Sequence, residues 1–514
     1  MRRDNRWAAL WIVAVVAVSC VPYVIAWAAA PEGKVFGGIL YNTLDGQSYL
    51  AKMRQGWEGQ WLFRLPFTEE PHDGAFVFTF YLLLGHLARL LGLSLPLMSH
   101  LARLLASAFM LCMLWRLLGR FFDGTTRRRA FLLTTLGAGF GWLFSGANVL
   151  LPDLWVPEAF GFYSVLSNPH FPLALGLMAA LADMAVSANR RGRLAGAAGC
   201  GLAMAVVQPM AVPVTLAALG AYALAQAPRK QDWQRPLGVA VAAGAAAAPV
   251  LGYDLWVQRA NWALAAWSAQ NVTISPPAWH WLAGYGLVAA LAGAGVWAAL
   301  RQSPSPLDLP VVWLVCTAVA MYVPSALQRR FSTGLAIPMG ILAAAGFSAL
   351  AGRVRARVAN LTYVAVQAVV SISSIVLLVM GSIAGATYSD PRMFVSTDEA
   401  QALYALREAG GGRGVVAASP TLSAIVPGWT GNPVVYGHNY ETIRAEEKQT
   451  ALERFFAHPD DGERRRFLTE HSIAFVIWGP RERAIGPNLW PERLGLRLVA
   501  RCGAVELWST GERP

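Results

Sequence analysis

LDGQSYLAKMRQGWEGQWLFRLPFTEEPHDGAFVFTFY, residues 44–81, is a polar stretch held between two apolar walls. Upstream an apolar run covers residues 7–30, and downstream a second begins at Ala75. Between them lie Asp45, Glu58, Glu69, Glu70 and Asp73, with His72 among them. The chain as a whole is only 14% charged. Carboxylates gathered beside a membrane mark this loop as the place to look for chemistry.

The 514 residues are 55% hydrophobic and 11% aromatic, and the mean hydropathy is +0.42. These values lie beyond ordinary globular usage and indicate a polytopic membrane protein. Twenty Trp suit interfacial belts, where the ring is apolar and the indole N–H stays wet. The net charge of +12 comes from short Lys/Arg clusters between apolar runs, as in cytoplasmic loops. Basic and aromatic residues are not interleaved as in single-stranded nucleic-acid binders, so no nucleic-acid partner is expected. Cys20, Cys112, Cys200 and Cys316 sit inside apolar runs and only Cys502 in a polar region. No CxxC or Cys/His spacing supports a disulfide framework or a zinc site. The first apolar run is about 24 residues long, without a clear small-residue cleavage site, and reads as a signal anchor.

Further apolar segments follow at 76–95, 97–119, 130–151, 168–188, 194–207, 210–227, 236–256, 278–300, 309–327, 332–350 and 361–385. Most approach the length a bilayer of roughly 30 Å requires. Gln208-Pro209 should break 194–227 into two short helices, because proline removes a backbone donor. Clusters at Asn189-Arg190-Arg191-Gly192-Arg193, Arg229-Lys230, Arg301 and Arg353-Val354-Arg355-Ala356-Arg357 read as cytoplasmic. Alternation then puts 152–167, 257–277, 328–331 and everything after about 386 on the far side. Arg127, Arg128 and Arg129 also read as cytoplasmic, which fails if 76–95 and 97–119 both span. Either one of the two is re-entrant or juxtamembrane, or the rule is broken there. HLARLL occurs at 86–91 and again at 100–105, with His and Arg three apart on one helix face. It reads as a phosphate site or as two helix ends at a polar turn, with Arg reaching the interface.

From about Tyr388 the composition turns soluble. Residues 398–409 read as a surface helix, 445–457 and 462–470 as helices, and 415–419, 473–478, 496–502 and 504–509 as strands. Gly503 closes the last two as a hairpin. The expected division is a transmembrane domain over 1–387, with its first outer loop at 31–75, and an extracytoplasmic α/β domain over 388–514.

Each candidate residue has a functional and a structural reading. Asp45 is either a general base or a helix cap. Glu69, Glu70 and His72 either bind a divalent metal or orient a sugar donor, or else form a solvated turn around Pro71 and Asp73-Gly74. Asp153 and Glu158 lie in the second outer loop, which ends at Asn168-Pro169-His170. Its Trp155, Phe160 and Tyr163 stack on a sugar or anchor at the interface. Arg329 and Arg330 fall outside against the positive-inside bias. Two guanidiniums there suit a lipid phosphate, or mark a miscounted span. His438 and Glu441 either reach an acceptor or a metal, or cap the next helix. No Walker A, GxSxG, GxGxxG or HExxH pattern occurs.

An acid after the first span, an aromatic-rich loop, then Glu-x-Pro opening the second apolar segment resembles the GT-C superfamily. Among its members, the aminoarabinose transferases and protein O-mannosyltransferases are most alike. Asp45 matches the first acid of their Asp-Glu pair, and Glu69-Glu70-Pro71 resembles their Glu-x-Pro. FYLLLGHLARLLGLSLPLMSHLARLL resembles the segment that follows. Two positions depart: Gly46 replaces the second acid, and the later loop Asp is Asn168 or has shifted to Asp153. The motifs cover about the first 190 residues, and architecture alone carries the rest.

The resemblance implies an α-helical polytopic GT-C-like protein with about 11–13 transmembrane helices and a C-terminal α/β domain. It implies a multi-pass protein of the cell (inner) membrane and the cell envelope, with its N-terminus cytoplasmic. Its expected activity is inverting transfer of a sugar from a polyprenyl-phosphate donor to an extracytoplasmic lipid, glycan or protein. Asp45 is then the base, with Glu69 as second catalytic acid. Glu70, His72, Asp153, Glu158, His170, Arg329, Arg330 and His438 are expected on the substrates, and a divalent metal ion is the one candidate cofactor. A transporter or lipid flippase, or a non-catalytic envelope assembly protein, is the alternative; the broken 194–227 segment favours the former.

Overall fold

The computed structural model describes residues 2–147, 149–188, 191–229, 231–302, 304–352, 354–388 and 390–511. Asn189, Arg190, Lys230 and Arg353, used above for orientation, lie outside them. Among the described residues, six helices are long and apolar enough to cross a membrane. They are Arg3–Ala28, Leu95–Leu118, Gly124–Ala147, Ala211–Arg229, Gln234–Ala260 and Ala356–Thr387. Ala278–Tyr285 and Leu287–Arg301 meet at 96° and make a seventh if counted as one span. Gly286, at φ 51°, forms that corner in backbone space a side chain would strain. Shorter apolar helices occupy Thr79–Leu91, His170–Val186, Arg193–Val207, Asp308–Ala320 and Ala336–Ala351. The chain is a multi-pass helical membrane protein.

Two local expectations meet the structure here. Helix Arg193–Val207 ends before Gln208, and the next begins at Ala211, so the break at Pro209 is present. Of the two segments whose parity conflicted, Thr79–Leu91 has 13 residues, about 20 Å of helix, whereas Leu95–Leu118 has 24. Only the second is long and apolar enough to reach across.

The described chain forms two compact units that do not follow chain order. One comprises Met1–Val21, His100–Tyr253 and Val272–Met380. Its helices Leu287–Arg301 and Ala336–Ala351 meet backbone to backbone. A Cβ on Gly295 would fall 2.0 Å from Leu342 O, and one on Gly346 would fall 1.9 Å from Leu291 O. Small residues are what let helices approach this closely in a membrane. The arginine of the second HLARLL copy is buried here. Arg103 is 2% exposed and donates to Ser19 Oγ at 3.1 Å and Val165 O at 2.7 Å. Of the two readings, the one with this arginine reaching the interface fails, because its guanidinium is turned inside onto backbone and hydroxyl acceptors.

The other unit comprises Pro22–Ser99, Asp254–Asn271 and Gly381–Pro514. Its strands are β1 (Lys34–Phe36), β2 (Phe394–Ser396), β3 (Val415–Ala417), β4 (Ile473–Trp478), β5 (Arg497–Cys502) and β6 (Val505–Ser509). β1 and β2 pair antiparallel, Val35 opposite Val395. The larger sheet has the order β3-β4-β6-β5, parallel between β3 and β4 and antiparallel elsewhere. β4, IAFVIW, is buried at every position, as a strand covered on both faces must be. Gly503, at φ 55°, turns β5 into β6. Helix Thr397–Gly410 starts at a capping box, Ser396 Oγ accepting from Glu399 N and Glu399 Oε2 from Ser396 N.

The sheet's core does not stop at the C-terminal residues. Ala51 and Phe67, from the first loop, are buried in it beside Leu403, Ile425, Phe475 and Leu507. Chain order separates loop and sheet, and burial of apolar surface joins them.

Candidate functional site

The site begins with helix Thr43–Trp57. Asn42 precedes it in the left-handed region and makes no side-chain cap. Asp45 is therefore the third helical residue and not the N-cap. At helical spacing Asp45, Ser48 and Lys52 share one face. Two close contacts fix where that face points. A Cβ on Gly56 would fall 2.0 Å from Leu82 O, and one on Gly85 would fall 1.9 Å from Met53 O. Helices Thr43–Trp57 and Thr79–Leu91 thus pack with their backbones touching.

Opposite lies the segment following Val435. His438 Nε2 stands 3.3 Å from Asp45 Oδ1; the Asp45 side chain is 55% exposed and that of His438 2%. Two turns along the helix is a buried ion pair. Lys52 Nζ donates to Glu441 Oε1 at 2.8 Å and Oε2 at 3.1 Å, and also to Ser48 Oγ. Ser48 Oγ in turn donates to Glu441 Oε1 at 2.6 Å. The ammonium also sits 4.6 Å from the centre of the Phe78 ring. Burial pushes the Glu441 carboxyl up, but Lys52 and the Ser48 hydroxyl outweigh it and hold the group below its ordinary value. Neither His438 nor Glu441 caps the next helix; Ala445–Ala457 has Arg444 in that place.

Glu69 and Glu70 form a second ionic cluster. Lys448, 2% exposed in its side chain, pairs with both carboxylates and donates to Thr68 Oγ1 at 2.9 Å. Arg444 donates to Glu70 Oε1 at 3.0 Å, and His471 Nδ1 pairs with Glu69 Oε1 at 2.6 Å. Burial raises the Glu70 carboxyl, yet Lys448, Thr68 and Arg444 overcome it and hold its pKa at about 2. His72 locks the turn: Nε2 accepts from Leu65 N at 2.8 Å and Nδ1 donates to Glu70 O at 2.8 Å. Lys448 and Arg444 engage three of the four oxygens of the two carboxylates and His471 the fourth, and both ring nitrogens of His72 are engaged. That donor set does not fit the divalent metal considered for it. Among the described residues, no three His, Cys, Asp or Glu side chains gather as a metal site.

The remaining candidates belong to the other unit. Asp153 is wholly buried. Its Oδ2 accepts from Gly141 N at 2.9 Å, Gly139 N at 3.3 Å and Ser373 Oγ at 2.6 Å. Burial pushes its carboxyl up, against those hydrogen bonds. It pins backbone where a sugar contact was expected. Glu158 and His170 are 5% and 4% exposed, and Glu158 O accepts from Gly334 N at 3.0 Å. Of the aromatics expected on a sugar or at the interface, Phe160 stacks on Tyr285 at 4.5 Å and Tyr163 is buried. Arg329 and Arg330 occupy a short 3-10 helix, Gln328–Ser332, half-buried. Arg329 N donates to Thr273 O at 3.0 Å, and its guanidinium lies 4.8 Å from the Trp155 ring centre.

Thus Asp45 and His438 come together, as do Glu69, Glu70 and His72, while Arg329 and Arg330 lie in the other unit. Lys52 and Lys448 were missed by the sequence reading. Each had another cation close by in the sequence, and only its burial distinguishes it.

No family model and no curated protein matches the chain. Solved structures do. The oligosaccharyltransferase of Archaeoglobus fulgidus, in its apo form, aligns over 92% of this chain and 69% of its own, at 13% identity and a TM-score of 0.54. ArnT from Cupriavidus metallidurans, solved with undecaprenyl phosphate, aligns over 97% and 98%, at 13% identity and 0.55. The mycobacterial arabinofuranosyltransferase AftD aligns over 98% of this chain and 41% of its own, at 15% identity and 0.51. The chain has a GT-C-like fold.

Proposed function

We propose that this protein is a membrane glycosyltransferase that moves a sugar from a polyprenyl-phosphate donor to an acceptor outside the cytoplasm. The observation that carries the reading is Asp45: a half-exposed carboxylate, on a helix whose inner face carries the buried Lys52–Glu441 ion pair. A base must be fixed and still reachable, and this residue is both. Support also comes from the fold, since ArnT, similar along nearly its whole length, was solved with undecaprenyl phosphate.

In this reading the acceptor O–H (or N–H) gives its proton to the Asp45 carboxylate as the acceptor atom bonds to the anomeric carbon. The bond from that carbon to the phosphate oxygen breaks, and polyprenyl phosphate leaves with the electron pair. One displacement inverts the anomeric centre. Arg329 and Arg330, two planar donors that stay charged, suit a polyprenyl phosphate as ligand. Glu69 and Glu70 act indirectly, tying the loop down through Lys448. The protein then sits in the cell (inner) membrane with its N-terminus cytoplasmic and residues after 388 outside.

The test is sugar transfer by reconstituted protein from a panel of labelled polyprenyl-phosphate-linked pentoses and hexoses, with water as the default acceptor. Asp45→Asn should lower turnover at least about 100-fold with donor binding retained. Arg329→Gln/Arg330→Gln should instead weaken undecaprenyl phosphate binding. Undiminished transfer by Asp45→Asn removes the base.

A further inference from the structure

The side chain that faces Asp45 comes from the other end of the sequence. His438 Nδ1 accepts the backbone N–H of Tyr440 at 3.1 Å and of Glu441 at 3.2 Å. A ring nitrogen that accepts two N–H groups carries no proton, so the neutral imidazole bears its proton on Nε2. That is the nitrogen 3.3 Å from Asp45 Oδ1.

We infer that His438 is a positioning residue, a fixed one-way hydrogen-bond donor that aims the Asp45 carboxylate. The inference rests on the reading of Asp45 as base. It replaces the substrate contact expected of His438 with a role exerted through another residue. In a Ser-His-Asp triad a carboxylate orients an imidazole; here the imidazole orients the carboxylate.

The surroundings suit a part that must not move. Thr442 Oγ1 accepts from Gly437 N at 3.3 Å and His438 N at 3.2 Å, folding the segment on itself. The Gln270 amide donates to Tyr440 O at 2.9 Å and Thr442 O at 2.6 Å, bracing it from outside. A Cβ on Gly437 would lie 2.6 Å from Phe67 Cδ1 and 2.8 Å from Ser423 O, so no larger residue fits behind the ring. The Phe67 ring lies 5.7 Å from the imidazole. The charged groups nearby, Glu441 and Lys52, are committed to each other. The proton taken from the acceptor therefore ends on Asp45, and His438 neither gives nor keeps one.

The experiment uses the full-length reconstituted protein and the same donor panel, measuring kcat, donor KM and the pH profile of kcat for three variants. His438→Phe keeps the ring's size and removes the donor. It should lower kcat about 10- to 100-fold with donor KM within about twofold, and move the acid limb up by roughly one pH unit, because the carboxylate loses a hydrogen bond. His438→Gln, which places an N–H near the old Nε2, should keep kcat within about tenfold of the wild type. Asp45→Asn controls for the underlying reading. A His438→Phe protein with wild-type kcat and limb, beside an inactive Asp45→Asn, overturns the positioning role and leaves the base standing. A fall through KM alone also overturns it, in favour of a substrate contact. An active Asp45→Asn overturns both. If His438→Phe does not fold, His438→Gln decides: folded but as inactive as Asp45→Asn, it refutes the inference.

Discussion

Lys52 shows what one residue contributes when burial changes its meaning. In LAKMRQ it reads as an ordinary loop cation. In the structure its side chain is fully buried and its ammonium is neutralised by Glu441. An ammonium without its counter-charge is expensive to bury, so removing one partner of such a pair typically costs about 3–5 kcal/mol. Lys52→Met should therefore destabilise the protein by roughly that amount, seen as a lower midpoint of thermal unfolding in detergent. Adding Glu441→Gln should restore part of the loss, because the stranded carboxylate is then gone. A Lys52→Met protein that melts with the wild type would show the pair contributes nothing. Gly46 departs from the GT-C acid pair; a Cβ there would fall 2.4 Å from Ile39 Cγ2, so an aspartate or glutamate could enter only if Ile39 moved.

At the scale of elements, the placing of Asp45 depends on one helix pair. Thr43–Trp57 and Thr79–Leu91 touch at Gly56 and Gly85, where any side chain would run into backbone carbonyls. Backbone cannot yield as a side-chain tip can, so overpacking there moves whole helices. Gly85→Leu should separate the pair and cut transfer at least about tenfold, even in protein that still inserts and purifies as a monodisperse species. Wild-type turnover from that variant would detach the site from the packing. Most of the C-terminal elements were legible in the chain: β4 and helix Ala445–Ala457 fall where periodicity put them. The glycine contacts were not, because a glycine's spacing does not say which backbone will face it.

At the scale of the whole molecule, the division expected after residue 387 is not how the compact units fall. The first loop folds with the C-terminal residues, through Ala51 and Phe67 in the core and through ion pairs on Lys52 and Lys448. This gives the assembly a pH dependence of definite sign. Glu70 is held at about 2 in the folded protein against an ordinary value of about 4.3. A depressed carboxyl contributes stability above its unfolded value, and that contribution fades as pH falls from about 4.3 to about 2. Glu441, also held low, acts in the same direction. Unfolding midpoints should thus stay level from pH 7 to 5 and drop below about 4. Glu70→Gln should flatten part of the drop, and an unchanged acid slope in that variant would exclude the cluster as its source.

The sequence by itself determined the membrane class, the break at Pro209, the C-terminal strands and helices and Asp45 as a candidate base. These follow from composition, periodicity and adjacency to the first span, all local properties of the chain. Only the tertiary structure decided which charges are neutralised inside the fold. It neutralised Glu69 and Glu70 with Lys448, buried Asp153 against the amides of Gly139 and Gly141, and set His438 against Asp45 across almost four hundred residues. Such pairings are made by burial. A charge taken out of water must find a partner wherever the fold brings one, and no spacing along the chain records which partner that is.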